Sequence, residues 1–245
     1  MIYFLIPVYN EEKNLERLYR DTSVYMDKIG RKDDFTFIFV DDGSTDQSPS
    51  ILQEFAETDG RSIVLTHFPN AGVRKTFMDG FREFLRVAGS GDILVTKEAD
   101  NTSDNHVLQK MLTAVEQEDY DIALASCYAE GGGLESTTLF RMLLSTCANM
   151  LIKFRFGLWG LHTFSSFYRA FRFTTLESAF KNDSEIMSYE GFTCVVEMLI
   201  KMKKMKFRIK EIPMILRSSE RIGKSKMPVK KTIIEYIFLC IKGTG

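Results

Sequence analysis

Residues 92–104 read DILVTKEADNTSD, and the rest of the chain is best read outward from them. Ile93, Leu94 and Val95 form a short apolar run that suits a buried strand. The run stops at Lys97, and Glu98-Ala99-Asp100 follows at once. Two carboxylates separated by one small residue, at the carboxyl end of a buried strand, suit a hard divalent cation. Mg²⁺ or Mn²⁺ takes oxygen ligands and keeps positions for water or phosphate. The carboxyl edge of a parallel sheet is also where open α/β folds place their ligands. The plainer reading is a solvated acidic loop with Asp104 capping the next helix.

Upstream, the pattern predicts strands over 2–8, 35–40 and 63–66, with Pro7 ending the first. Helices are predicted over 10–29, 51–58 and 73–87. Downstream come a helix over 107–117 and a strand over 122–126. Strand and helix thus alternate five times, the pattern of an α/β fold with a mostly parallel sheet and helices on both faces. Right-handed crossovers put the loops after the strands on one edge. Tyr9-Asn10-Glu11, Asp41-Asp42, Asn70-Ala71-Gly72 and Glu98-Ala99-Asp100 are expected to meet there.

The second half differs. Gly131-Gly132-Gly133 reads as a flexible break. A long helix over 134–156 carries Arg141, Ser145 and Asn149 at intervals of four, on one face. A strand is expected over 161–169, helices near 173–180 and 189–202, and a strand over 207–212. A basic loop over 218–228 and a terminal helix over 229–242 follow.

A formal charge of −1 removes any global reason to expect nucleic acid as a partner. Cys127, Cys147, Cys194 and Cys240 lie far apart, which argues against a zinc site and suits a reducing compartment. The opening MIYFLIPVYNEE reads as a first strand, and no run approaches the ~20 apolar residues that span a bilayer.

Taken singly, the loops could be helix starts and turns. In order, Pro7–Glu11 (PVYNE), Val40–Asp46 (VDDGSTD), Asn70-Ala71-Gly72 and Glu98-Ala99-Asp100 resemble the hallmarks of family 2 of the inverting, nucleotide-sugar-dependent glycosyltransferases, which have the GT-A fold. Glu98 stands where the family's D-x-D has its first Asp. Later motifs look like those of dolichol-phosphate mannose synthases and bacterial polyprenyl-phosphate glycosyltransferases. These are Ser126-Cys127-Tyr128 with Gly131-Gly132, Arg141-x-x-x-Ser145-x-x-Ala148-Asn149, and Arg221-Ile222-Gly223-Lys224-Ser225-Lys226. One motif departs: in place of D-x-x-S-G-F-R the chain reads His162-Thr163-Phe164-Ser165-Ser166-Phe167-Tyr168, then Arg169.

The resemblance implies a nucleotide-sugar donor bound by Pro7, Tyr9, Asn10, Glu11, Asp41, Asp42, Asn70, Gly72 and Ala99. It implies a metal on Glu98 and Asp100, and an acceptor phosphate met by Arg141, Ser145, Arg221, Ser225 and Lys226. A metal there stabilises a departing diphosphate, and guanidinium groups suit bidentate phosphate binding. Asp100, Arg141, Arg221 and His162 are the candidate catalytic residues. His162 also reads as a strand-end histidine, a metal ligand or a base.

The terminal helix rises only ~20 Å against a hydrocarbon core of ~30 Å. With Lys230 and Lys231 beside it, it reads as lying in a membrane surface, or as docked on the domain. The expected organisation is a GT-A domain over 1–228 and this helix over 229–245. The expected activity is transfer of one sugar to a polyprenyl phosphate, peripheral on the cytosolic face of a membrane. The alternatives are transfer to a glycan hydroxyl with His162 as base, and a nucleotide-sugar-binding protein without catalysis.

Overall fold

The computed structural model describes residues 1–223 and 226–244, with Phe140 placed by its backbone alone. Nine strands are β1 (Ile2–Val8), β2 (Phe35–Asp41), β3 (Ser62–Thr66), β4 (Ile93–Thr96), β5 (Ile122–Ser126), β6 (Gly133–Glu135), β7 (Arg169–Arg172), β8 (Ile209–Pro213) and β9 (Ile215–Arg217). Eight α-helices are α1 (Glu12–Lys28), α2 (Ser48–Asp59), α3 (Val73–Val87), α4 (Leu108–Glu116), α5 (Leu139–Phe156), α6 (Phe173–Asn182), α7 (Thr193–Lys204) and α8 (Val229–Lys242). Seven strands form one sheet in the order β3-β2-β1-β4-β7-β5-β8, while β6 and β9 pair separately. In the large sheet β7 alone runs antiparallel to its neighbours.

The pleat sends successive side chains to opposite faces, and here both faces are dry. Phe4, Ile6, Phe37, Phe39 and Val95 pack under α1, α2 and α4 through Leu15, Leu18, Leu52, Leu108 and Met111. Leu5, Ile38, Val40 and Leu94 pack on the other face against Phe77, Phe81, Leu176 and Met198 of α3, α6 and α7. That is why these strands read as unbroken apolar runs. Each large side chain so buried contributes roughly 1.5–3 kcal/mol. An exposed ion pair contributes about 0–1 kcal/mol, so the core rather than the charged surface holds the layers in place.

The first strand continues through Pro7, which pairs with Val40, instead of ending there. Lys97 N–H still donates to the Leu5 carbonyl at 3.1 Å, but the β1–β4 pairing stops at Leu5 and Thr96. Two residues on, the N–H that Pro7 lacks would face the side β4 has left, so no ladder bond is lost.

Three expectations for the second half are corrected. Residues 161–168 form no strand. Leu161, Phe164 and Tyr168 are buried within a loop, and pairing begins only at Arg169. The long helix starts at Leu139, capped by the Thr138 hydroxyl, because 133–135 is drawn into β6 beside β9. The glycines at 131–133 form a packed turn, not a loose break. Gly132 N–H donates to the Ala129 carbonyl at 2.8 Å, and a Cβ at Gly132 would come within 2.6 Å of the Ser126 carbonyl oxygen. Helix α8 packs on α5 and α7, with Leu239 buried beside Ile152, Val196 and Leu199.

The loop before β7 is held by Arg169. Its guanidinium is 1% exposed and donates to the carbonyls of Ser166 (2.8 Å), Phe164 (2.8 Å) and Val195 (3.0 Å). Burial pushes it down to about 9. Arg169→Met should leave those carbonyls without donors and cost roughly 3 kcal/mol or more. Urea denaturation would read this as a lowered midpoint at unchanged slope, and a loss below about 1 kcal/mol would refute the clamp.

Candidate functional site

The loops that follow β1, β2, β3 and β4 meet at the carboxyl edge of the sheet, and side chains lace them together. Asn10, with a left-handed backbone (φ 53°), accepts on Oδ1 from the N–H groups of Thr45 (2.7 Å) and Asp46 (3.3 Å). In return the hydroxyls of Ser44 and Ser48 accept from the N–H groups of Asn10 (2.8 Å) and Glu11 (2.9 Å). Asn10 is therefore a strut between the first two loops. Asn70 is another: its Nδ2 donates to the Asp42 carbonyl at 2.7 Å. Gly43 is required beneath it, since φ is 73° and a Cβ would stand 2.8 Å from Asn70 N.

The two aspartates ending β2 divide their work. Asp42 accepts from Ala71 N–H (2.8 Å), Gly72 N–H (2.9 Å) and His67 Nδ1 (2.9 Å). Both its oxygens are engaged in shaping the Asn70–Gly72 turn. Asp41 is 1% exposed, and its Oδ1 accepts only from Ser44 N–H at 3.3 Å. Its Oδ2 has no partner among the described residues. A buried carboxylate oxygen in that state takes a donor from water or from a ligand.

Glu98 and Asp100 leave the end of β4 side by side. Burial, and then the charge of Asp100, push the Glu98 carboxyl up, opposed by the Ser103 hydroxyl at 2.5 Å, a backbone hydrogen bond at Glu98 itself and the charge of Lys97. Asp100 accepts from Thr102 N–H (3.1 Å) and hydroxyl (2.7 Å) on Oδ1, and from Arg221 Nε (2.6 Å) on Oδ2. The pair fits a hard divalent ion. Both donors are oxygens, the two charges repel, and a cation would relieve the cost borne by Glu98. No group of three or more His, Cys, Asp or Glu side chains placed to hold a metal occurs among the described residues. Such an ion would complete its shell from phosphate and water. Behind this turn, Lys97 is buried, donates to Asn105 Oδ1 and lies 5.7 Å from the Tyr168 ring centre, with burial pushing it down to about 8.

Arg221 is delivered by a clamp that spans the chain. Asn14 of α1 grips the Ile222 peptide from both sides, Nδ2 donating to its carbonyl (3.1 Å) and Oδ1 accepting from its N–H (3.2 Å). Lys226 donates to the Tyr9 and Asn10 carbonyls and to Glu11 Oε1. A cleft of about 220 Å³ remains between these groups and Asp46. Ser225, an expected phosphate contact, lies outside the described residues, as does Lys224.

Arg141 stands in the first turn of α5, with Ser145 and Asn149 following along the helix. Asn149 is buried, and its Nδ2 has no partner among the described residues. Burial pushes the Tyr128 phenol up, against a hydrogen bond with Ser145. His162, half exposed, is held by Glu211 of β8: Oε2 lies 2.7 Å from Nδ1, and Oε1 accepts from the N–H groups of 162 (2.9 Å) and 163 (2.8 Å). Cys127 lies within reach of both halves. Burial, with smaller contributions from Glu211 and Glu98, pushes its thiol up to about 11. Asn14, His67 and Glu211 were not singled out from the sequence. Only Asn14 left a trace there, one helical turn beyond Glu11 on α1.

A family model described as glycosyl transferase family 2 matches residues 3–180. A polyprenol monophosphomannose synthase from Mycolicibacterium smegmatis is 29% identical over 224 residues, 91% of this chain and 79% of that protein. A dolichol-phosphate mannosyltransferase from Pyrococcus furiosus is 29% identical over 234 residues, 95% of this chain and 60% of that protein. An undecaprenyl-phosphate 4-deoxy-4-formamido-L-arabinose transferase from Pseudomonas aeruginosa is 29% identical over 179 residues, and there the match spans about half (49%) of the relative's length. Among solved structures, glucosyl-3-phosphoglycerate synthase from Mycobacterium tuberculosis, in complex with Mn²⁺, UDP and phosphoglyceric acid, superposes with TM-score 0.65 at 15% identity, covering all of this chain and 79% of that one. A mannosyltransferase from Pyrobaculum calidifontis, in complex with GDP-Man and Mn²⁺, gives 0.62 at 16% identity, covering all of this chain and 65% of that one. The fold is that of the GT-A glycosyltransferases, and with the family model spanning most of its length the chain belongs to glycosyl transferase family 2.

Proposed function

We propose that the protein transfers one sugar, with inversion, from a nucleotide-sugar donor to a polyprenyl phosphate at a membrane surface. The observation that carries this reading is the Arg221–Asp100 contact. It supports a phosphate-binding cation arriving beside the carboxylates that end β4, where donor diphosphate and acceptor phosphate would have to meet.

The chain's own groups suit the parts of that reaction. Asp41 Oδ2 would accept an N–H of the base, at the bottom of a cleft built by the first two loops. Glu98 and Asp100 would hold Mg²⁺ or Mn²⁺, which as a Lewis acid neutralises charge on the departing diphosphate. Arg141, Arg221, Ser225 and Lys226 would receive the acceptor phosphate. Its oxygen is already anionic at neutral pH, so attack on the anomeric carbon needs no base. In-line attack on the face opposite the leaving group gives inversion.

The membrane component rests on an exposed apolar surface. Leu139, Leu143 and Phe154 of α5, Trp159 just beyond it, and Phe238 and Ile241 of α8 are exposed. Lys230 and Lys231 are exposed at the start of α8. No described helix is long and apolar enough to cross a membrane. The surface suits docking on anionic lipid from the cytosolic side. A second reading, transfer to a sugar hydroxyl, is favoured by one observation. The His162–Glu211 pair has the form of a base oriented by a carboxylate.

Asp41→Ala should weaken nucleoside diphosphate binding about tenfold or more without metal, since a charged hydrogen bond is worth roughly 1.5–3 kcal/mol. Calorimetry giving wild-type affinity would remove Asp41 from the donor site. Arg221→Ala should lower transfer to a short-chain polyprenyl phosphate about a hundredfold, with poor rescue by Arg221→Lys, because a point charge lacks the bidentate fork. A radiolabelled-sugar assay decides this. If a sugar alcohol is glycosylated and the lipid phosphate ignored, the second reading holds. Co-sedimentation with phosphatidylserine vesicles should fall severalfold for Phe238→Asp combined with Ile241→Asp, and retention of wild-type binding would exclude this face.

A further inference from the structure

One side chain beside these loops reaches two carboxylates at once. His67 follows β3. Its backbone N–H donates to the Asp41 carbonyl at 2.8 Å, extending the β2–β3 ladder. Its ring spans two carboxylates: Nδ1 lies 2.9 Å from Asp42 Oδ1, and Nε2 lies 3.0 Å from Asp79 Oδ2 of α3. One residue thus touches both members of the acidic pair ending β2 and ties them to a helix on the far side of the turn. The ring is largely buried, with its side chain 12% exposed.

The two contacts bear on how many protons the ring carries. A neutral imidazole donates from one nitrogen and accepts at the other. A carboxylate can only accept. Both contacts are hydrogen bonds only while the ring carries two protons. The charged groups around it are Asp42 just past β2, Asp79 from α3, Lys75 of α3, which donates to the same Asp79 Oδ2 that the ring faces, and Arg82 of α3, which donates to Asp79 Oδ1. When the ring loses a proton, one nitrogen faces a carboxylate oxygen lone pair to lone pair, and the tether between α3 and Asp42 is cut at one end. Asp42 is the group that pins the N–H groups of Ala71 and Gly72.

We propose that His67, as a doubly protonated imidazolium bridging Asp42 and Asp79, is the positioning residue that sets the Asp41–Asp42 edge and the Asn70–Gly72 turn for a nucleoside diphosphate. This rests on the nucleotide-sugar reading of the site. It makes donor affinity sensitive to pH through a residue that need not touch the donor.

The test uses the full chain with UDP and GDP as probes, in chelator, from pH 6 to 9, beside amide exchange at Ala71 and Gly72 in the unliganded protein. In wild type, affinity for whichever diphosphate binds should fall severalfold as pH rises, and protection of those amides should fall with it after correction for intrinsic exchange. His67→Ala should bind about tenfold more weakly at pH 6 and show no pH dependence. Asp79→Asn is the decisive variant. An asparagine amide can donate to Nε2 of a neutral ring while Nδ1–H serves Asp42, so affinity and protection should persist at alkaline pH. A role confined to packing would not move the pH profile in that direction. Wild-type affinity and protection in His67→Ala, or an Asp79→Asn profile identical to wild type, would overturn the proposal. If neither diphosphate binds wild type at any pH, the donor reading fails, and the exchange measurement still decides what His67 does.

Discussion

Burying a carboxylate without compensating donors is costly, and the carboxyl edge of this sheet gathers four of them within a few residues of strand ends. Asp42 is supplied with two backbone N–H groups and an imidazole, and Asp100 with a threonine and a guanidinium. Asp41 and Glu98 have fewer: one long N–H bond for the first, and a hydroxyl with a backbone hydrogen bond for the second. Donors are thus shared unequally: Asp42 and Asp100 are fixed by the groups that meet them, while Asp41 and Glu98 keep lone pairs free for further donors or a cation. Parallel strands on both sides of β1 make the arrangement possible, because they bring every C-terminal end to one edge.

The other half of the molecule is built on different terms. The reversed strand β7 separates β4 from β5, and beyond it the edge is served by long side chains reaching in from outside: Arg221 from the loop after β9, and Glu211 from β8 onto His162. A rigid acidic floor thus meets a set of basic groups carried on loops and helices.

The strand–helix alternation through β5 was legible because both faces of the sheet are buried, which leaves apolar runs that local pattern reveals. The loops after those strands were legible as a set, since the topology forces them together. What stayed hidden has a common physical origin. β6 and β9 are three residues each, and their only partners are each other, some eighty residues apart. Residues 161–168 are apolar enough for a strand, yet their backbone groups find side-chain partners instead, among them Arg169 for two carbonyls and Glu211 for two N–H groups. His67 sits between two aspartates that are 25 and 12 residues away. Asn14 looked like an ordinary α1 residue, and its partner is Ile222. The altered D-x-x-S-G-F-R stretch shows the same limit: His162 stands where the motif has an acid, and a carboxylate reaches it from Glu211 of β8.

The small β6–β9 ladder has a mechanical meaning. β6 leads directly into the start of α5, and β9 leads directly into the segment carrying Arg221. The two are further joined by the hydroxyls of Thr137 and Ser218 at 3.1 Å, and Arg217 reaches Asp104 at 2.9 Å and donates its N–H to the Thr102 carbonyl at 3.1 Å. Six paired residues therefore remove most of the freedom that α5, the Arg221 segment and the acidic turn would have relative to one another. Any tilt of α5 would therefore be carried through this joint to the spacing between Arg221 and Asp100.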